Sequence, residues 1–323
     1  MASSRDFGAY LHNFGWPPLQ ADGISGNDAC SAACELTRAF AAGEDRDASP
    51  NPRRSENDRL SHQVRAGLLL LLASCGWIVG GDDGVRLALT RGSSLSPRPP
   101  HGPVSDQSSL RRLCRSDAPE LFAEIDAICW RVKLRRPPQI CVLIGQRAMN
   151  AYASGGRDDA IITFTEGLLR GMTTKEISAI FAHEVAHICN GDGLTMSWAA
   201  GLQRAIHDVV ASGLASGQIY GTNRSQASLH WLLERAPAIA ELLLLALSRF
   251  RELEADALAL ELTGDAKTLE SALAKLERHH RALTGVPQSY VEDRLASYLR
   301  SHPVTSDRIG QLRASASALY GAA

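Results

Sequence analysis

A chain of 323 residues with 45% hydrophobic content can build one large domain or two small ones around a sizeable core. Its 34 basic and 35 acidic residues leave a net charge of −1, which argues against nucleic acid as a partner and against global attraction to anionic lipid. Seven cysteines, scattered and without a Cys-x-x-Cys pair, argue against a secreted disulfide framework and against a cysteine zinc knuckle; buried thiols in a reducing compartment are expected.

The N-terminus "MASSRDFGAYLHNFGWPP" lacks the basic start and apolar run of an export signal, so a cytoplasmic location, or one on the cytoplasmic face of a membrane, is expected rather than secretion. Residues 1–63 are polar, and "GEDRDASPNPRRSENDR" (43–59) reads as a solvated, disordered stretch. Residues 64–90 are predicted to form an apolar helix around "AGLLLLLASCGWIVGG" (66–81). Its 16 uncharged residues fall short of the roughly 18 to 20 that cross a bilayer, which predicts a buried or membrane-contacting helix. A Pro/Ser-rich linker follows over 91–109, and a continuously folded domain over 110–323.

Within that domain, 109–134 has helical periodicity, and three β-type runs follow at 139–144, 149–154 and 160–164. Thr173 or Thr174 can cap a helix "KEISAIFAHEVAHICNG" that carries Glu176 in its first turn. Long helices are predicted at 193–218 and 227–263, with a Gly/Asn turn between them, and further helices at 267–283 and 303–319. The fold class is therefore α+β, mostly helical, with a small sheet beside the helix that carries the histidines.

That helix contains His183-Glu184-Val185-Ala186-His187. Residues four apart share a helix face, so both imidazoles can point at one ion, while Glu184 can reach a water beside it. Zinc lowers the pKa of water from ~15.7 towards ~7 and polarises a carbonyl, and a neighbouring glutamate takes the proton, which together meet the needs of amide hydrolysis. A third ligand is required. "SRFRELEADALALELTGD" (248–265) is a helical run rich in acids. Glu252 and Asp256 share a face there, so either can ligate while the other holds a ligand histidine in its tautomer; Glu254 points elsewhere.

These motifs, together with "SHPVTSDRIGQL" (301–312), resemble the HtpX-like and CAAX prenyl-protease-like family of gluzincin metallopeptidases. "NAYASGGRDDAIITFTEGLL" (150–169) is similar to a strand and helix start of the same family, so the resemblance covers roughly 110–320. It implies a zincin-type metalloprotease domain with one Zn2+ ion held by His183, His187 and Glu252, and Glu184 as general base. It further implies Asp256 as support for a ligand, and His302 and Arg308 near the metal, either of which could donate to the oxyanion. The strand Asn150, Ala151, Tyr152 and Ala153 would receive an extended polypeptide as an added strand. The implied activity is a zinc endopeptidase acting on unfolded or membrane-associated proteins in quality control. A catalytically silent zincin-fold adaptor, binding partner proteins or a membrane surface, is the alternative. Family members carry transmembrane helices where this chain has Arg204, His207 and Asp208, and then Glu234, Arg235, Pro237 and Glu241. A charge at the bilayer centre costs ~3 kcal/mol or more, so these helices are expected to pack on each other or lie at a membrane surface.

Overall fold

The computed structural model describes residues 52–93, 109–216, 226–284 and 305–320. Most of the polar N-terminal region, most of the Pro/Ser-rich linker, the Gly/Asn turn and His302 lie outside the described residues. In chain order the elements are α1 (Pro52–Ser93), β1 (Leu110–Arg112), α2 (Pro119–Arg131), β2 (Gln139–Leu143), β3 (Ala151–Ser154), β4 (Ile161–Thr165) and α3 (Glu166–Gly171). There follow α4 (Thr174–Asn190), α5 (Asp192–Ser216), α6 (Gln226–Thr263), α7 (Ala266–Thr284) and α8 (Thr305–Tyr320). The fold is α+β, mostly helical with one small mixed sheet. Among the described residues the chain divides into two compact units: 62–93 with 200–216 and 226–241, and 52–61 with 109–199, 242–284 and 305–320.

The described part of the first unit is helical. Buried Val64, Leu68, Leu72, Cys75 and Val79 recur every three or four positions along α1, as one helix face requires. The helix then breaks at Gly80 and Gly81, the latter at φ 62°, and the chain doubles back. A Cβ on Gly76 would lie 2.5 Å from the Gly84 carbonyl oxygen and 2.9 Å from Ala88 Cβ. Along a straight helix those positions would be roughly 12 and 18 Å apart, so the two arms form a hairpin that closes at glycine. By length and composition α1 is still able to cross a membrane over Asp58–Gly92, the one such helix among the described residues; 56% of its apolar window is buried.

The charges that disfavour a span in α5 and α6 have a simple explanation. Leu202, Ala205, Ile206 and Val209 are buried on α5 while Arg204, His207 and Asp208 are exposed. On α6, Leu233, Ala236 and Ala240 are buried while Glu234, Arg235 and Glu241 are exposed. Gly213 on α5 leaves room for Val79 of α1 and Leu233 of α6, whose side chains crowd its missing Cβ. The helices pack on one another through their apolar faces.

The second unit holds the sheet, in the order β1-β2-β4-β3. β2 and β4 are parallel and central, and both are buried along nearly their whole length. β3 pairs antiparallel with β4 and forms one edge. β1 forms the other edge, antiparallel to β2, with Leu110 opposite Leu143. This corrects the helix expected over 109–134: only 119–131 is helical, and 110–112 is a strand. Pro119 at the first helical position sets the start, because proline restricts the residue before it and cannot donate within a helix. The apolar core joins α2, β2, β4, α4 and α7 through Ile125, Ile140, Ile162, Phe164, Phe181, Val185 and Leu269, all almost fully buried. α4 runs through this core, which fixes what it carries.

Candidate metal centre

The first turn of α4 is secured by side chains and its last turn by a backbone cap. Thr173 accepts from the Glu176 N–H, and Glu176 accepts from the Thr173 N–H at 2.9 Å, a reciprocal capping box. Glu176 also accepts from Ser271 Oγ at 2.7 Å and Lys275 Nζ at 2.6 Å on α7. Burial would raise its pKa, but Lys275, the Thr173 N–H and Ser271 outweigh that and lower it to about 2. At the other end Gly191 adopts φ 68°, ψ 27°, and its N–H reaches the carbonyls of His187 and Ile188. This left-handed cap turns the chain sharply into α5, so that Asp192 faces back on the last turn of α4.

The helical spacing of His183 and His187 brings their Nε2 atoms to 3.0 Å from each other. Glu252 of α6 joins them: its Oε2 lies 3.5 Å from His183 Nε2 and its Oε1 lies 3.7 Å from His187 Nε2. One ligand atom from each residue falls within 4.8 Å of the other two. His183 and Glu252 are buried, and His187 is partly so.

The other imidazole nitrogens determine what the three groups can hold. His183 Nδ1 lies 2.9 Å from Asp256 Oδ1, and His187 Nδ1 lies 2.7 Å from Asp192 Oδ2. For His187 that contact is a hydrogen bond to the carboxylate, so in the neutral ring Nδ1 carries the hydrogen and Nε2 presents its lone pair; for His183 the carboxylate is close, but the contact is not aligned as a hydrogen bond. Two imidazole Nε2 atoms and a carboxylate converge on one point, a donor set that a cation would satisfy. The local charge agrees. Glu184, Glu252, Asp256 and Asp192 face Arg308 and Arg251, which leaves two negative charges for a divalent ion to balance. Burial alone would lower the pKa of His183, yet Asp256 and Glu252 outweigh it and raise it to about 10, another sign that positive charge is favoured here. Nitrogen and carboxylate donors in this set suit zinc. The residues fit a metal.

Arg308 on α8 reaches this centre through carboxylates. Its Nε and Nη2 bond Asp256 Oδ2 and Oδ1 at 2.6 and 2.7 Å, and its Nη1 lies 3.3 Å from Glu252 Oε2. Burial would lower its pKa, but Asp256, Glu252 and Glu184 together raise it, while Arg308 in turn helps hold Asp256 low against the opposite pull of burial. Glu184 is half-buried beside His183. Asn150 precedes β3 and donates from Nδ2 to the Tyr152 hydroxyl at 2.9 Å; Ala151, Tyr152 and Ala153 form the edge strand, which packs against α4. His207 and His230 are exposed, and Cys189 and Glu254 are half-buried.

Two buried residues of the centre escaped the sequence reading. Asp192 and Arg251 pair at 2.6 Å although they are 59 positions apart. The available signals were local: Asn190-Gly191-Asp192 ends the histidine helix, and Arg251 immediately precedes Glu252.

Residues 116–316 match peptidase family M48. "Protease HtpX homolog" of Campylobacter curvus is 32% identical over 269 residues, covering 76% of this chain and 93% of that protein. The protein of that name from Acaryochloris marina is 34% identical over 271 residues, covering 76% and 90%. That from Pyrococcus abyssi is 29% identical over 276 residues, covering 77% and 94%. The crystal structure of S. mikatae Ste24p aligns at 20% identity with a TM-score of 0.49, over 81% of this chain and 66% of that one.

Proposed function

The chain belongs to peptidase family M48 and is a metalloprotease; from this premise we propose that it is a zinc-dependent endopeptidase whose ion is held by His183, His187 and Glu252. The observation that carries the reading is the convergence of two imidazole Nε2 atoms and a carboxylate on one point, with a carboxylate oxygen within 2.9 Å of each Nδ1. A bound zinc supplies a Lewis-acid centre that acidifies water and polarises the scissile carbonyl.

The chain's own residues do the rest. Glu184 takes a proton from the attacking water on its carboxylate and returns it to the leaving amine nitrogen, general base and then general acid. Asp256 stands 2.9 Å from His183 Nδ1 and favours a proton there, and Arg308 fixes Asp256 and Glu252. Arg308 is thereby assigned to positioning, and His302 to the oxyanion. The outer edge of β3, with Asn150 before it, takes an extended polypeptide as a further strand, which favours unfolded substrates over folded ones and suits a role in protein quality control. Full-length chain should cleave casein, lose that activity on treatment with a zinc chelator and regain it with added zinc. Cleavage that survives chelation would refute the metal mechanism.

We place the enzyme at the cytoplasmic face of a membrane. Leu70 and Trp77, two helical turns apart on α1, are 70% and 42% exposed, as a lipid-facing surface would require. The protein should stay in a carbonate-washed membrane pellet; full recovery in the supernatant would overturn this placement.

A further inference from the structure

Asp192 and Arg251 are buried to within 4% exposure each, and the hydrolytic steps above leave them without a task. Asp192 divides its carboxylate between two partners. Oδ2 takes the Nδ1 side of His187 at 2.7 Å, and Oδ1 takes Arg251 Nη1 at 2.6 Å. Arg251 continues the network: Nη2 donates to Ser61 Oγ at 2.7 Å and to Thr195 Oγ1 at 3.4 Å, and Nη1 reaches the Asn190 carbonyl at 3.5 Å. One guanidinium thus joins the first turns of α1, the end of α4 and the start of α5 to the residue preceding Glu252 on α6.

We propose that Asp192 is the positioning residue of His187 and that Arg251 locks it in place, a second carboxylate–arginine pair matching Asp256–Arg308 at His183. The inference rests on the zinc reading above. His187 needs such a support more than His183 does. Its side chain is 19% exposed against 8% for His183, so packing restrains the ring less. Without a carboxylate at Nδ1 the proton is free to move to Nε2, and an imidazole protonated there cannot ligate. Arg251 makes the support rigid, because a lone Asp192 carboxylate could turn away from the ring. The left-handed turn at Gly191 is what aims Asp192 backwards, so the glycine after the histidine helix serves the ligand as well as the cap.

The test compares full-length wild type, D192A and D192A/R251M. The double variant removes both buried charges together, so no uncompensated charge remains to unfold the protein. Zinc affinity is measured by competition with a chromophoric chelator. The tautomers of His183 and His187 are read by nitrogen-15 shifts in histidine-labelled, metal-free protein. Both variants should bind zinc about 10- to 100-fold more weakly. His187 should change from its Nδ1–H form to a mixture of tautomers while His183 stays as it is. A double variant that binds zinc within about twofold of wild type, or keeps His187 in the Nδ1–H form, overturns the proposal. If wild type takes up no zinc, the metal reading itself fails. The tautomer comparison in metal-free protein still decides whether Asp192 governs His187.

Discussion

Glu184→Gln is expected to lower casein cleavage by a factor of about 10² to 10⁴ while zinc stays bound, the range that a positioned general base contributes. The substitution keeps the size and shape of the side chain, and Glu184 is outside the three-residue ligand set, so the metal should not notice it. What changes is proton affinity: an amide oxygen cannot hold the proton that the attacking water must lose. The loss corresponds to about 3 to 5 kcal/mol of barrier. Casein incubated with equal amounts of wild type and variant, with zinc content measured in parallel, separates chemistry from binding. No cleavage by either with zinc in place would return the chain to the role of a silent adaptor, and equal cleavage by both would remove Glu184 as the base.

Glu252→Ala is expected to weaken zinc binding by at least about 100-fold, whereas Glu254→Ala should change it by no more than about threefold. Loss of one of three protein ligands leaves two imidazoles on one helix, an incomplete set for zinc. It also strips Arg308 of one of its two carboxylate partners, which adds a net positive charge next to the ion. Glu254 lies two positions on, about 200° around the helix, and is half-buried away from the triad. Chelator competition on the two variants checks this; equal losses would mean that the third ligand has been misassigned.

The parts of this centre that could be read from the sequence were local ones. The capping box at Thr173, the two histidines four apart and the glycine that ends their helix all lie within one element, where spacing alone fixes the face. Glu252 and Asp256 were visible as a pair, but their division of labour was not, since both project from the same side of α6. The resemblance chose Glu252, and the structure sets Glu252 against both Nε2 atoms and Asp256 against His183 Nδ1. Non-local features stayed hidden. β1 is a strand only because Leu110–Arg112 pairs with β2, and nothing in three residues announces that partner. The α1 hairpin depends on Gly76 meeting Gly84 across a break that composition reads as the end of one apolar run. Asp192 and Arg251 are individually ordinary charges; only folding, across 59 positions, makes them a buried pair beside a ligand.

Zinc-edge anomalous diffraction from crystals of the full-length, zinc-loaded chain tests the central claim most directly. The account predicts one strong peak in the catalytic unit, about 2.0 to 2.2 Å from Nε2 of His183, Nε2 of His187 and a carboxylate oxygen of Glu252. A peak coordinated by Asp256 or Asp192 in place of Glu252, or no peak between the two histidines, would contradict it.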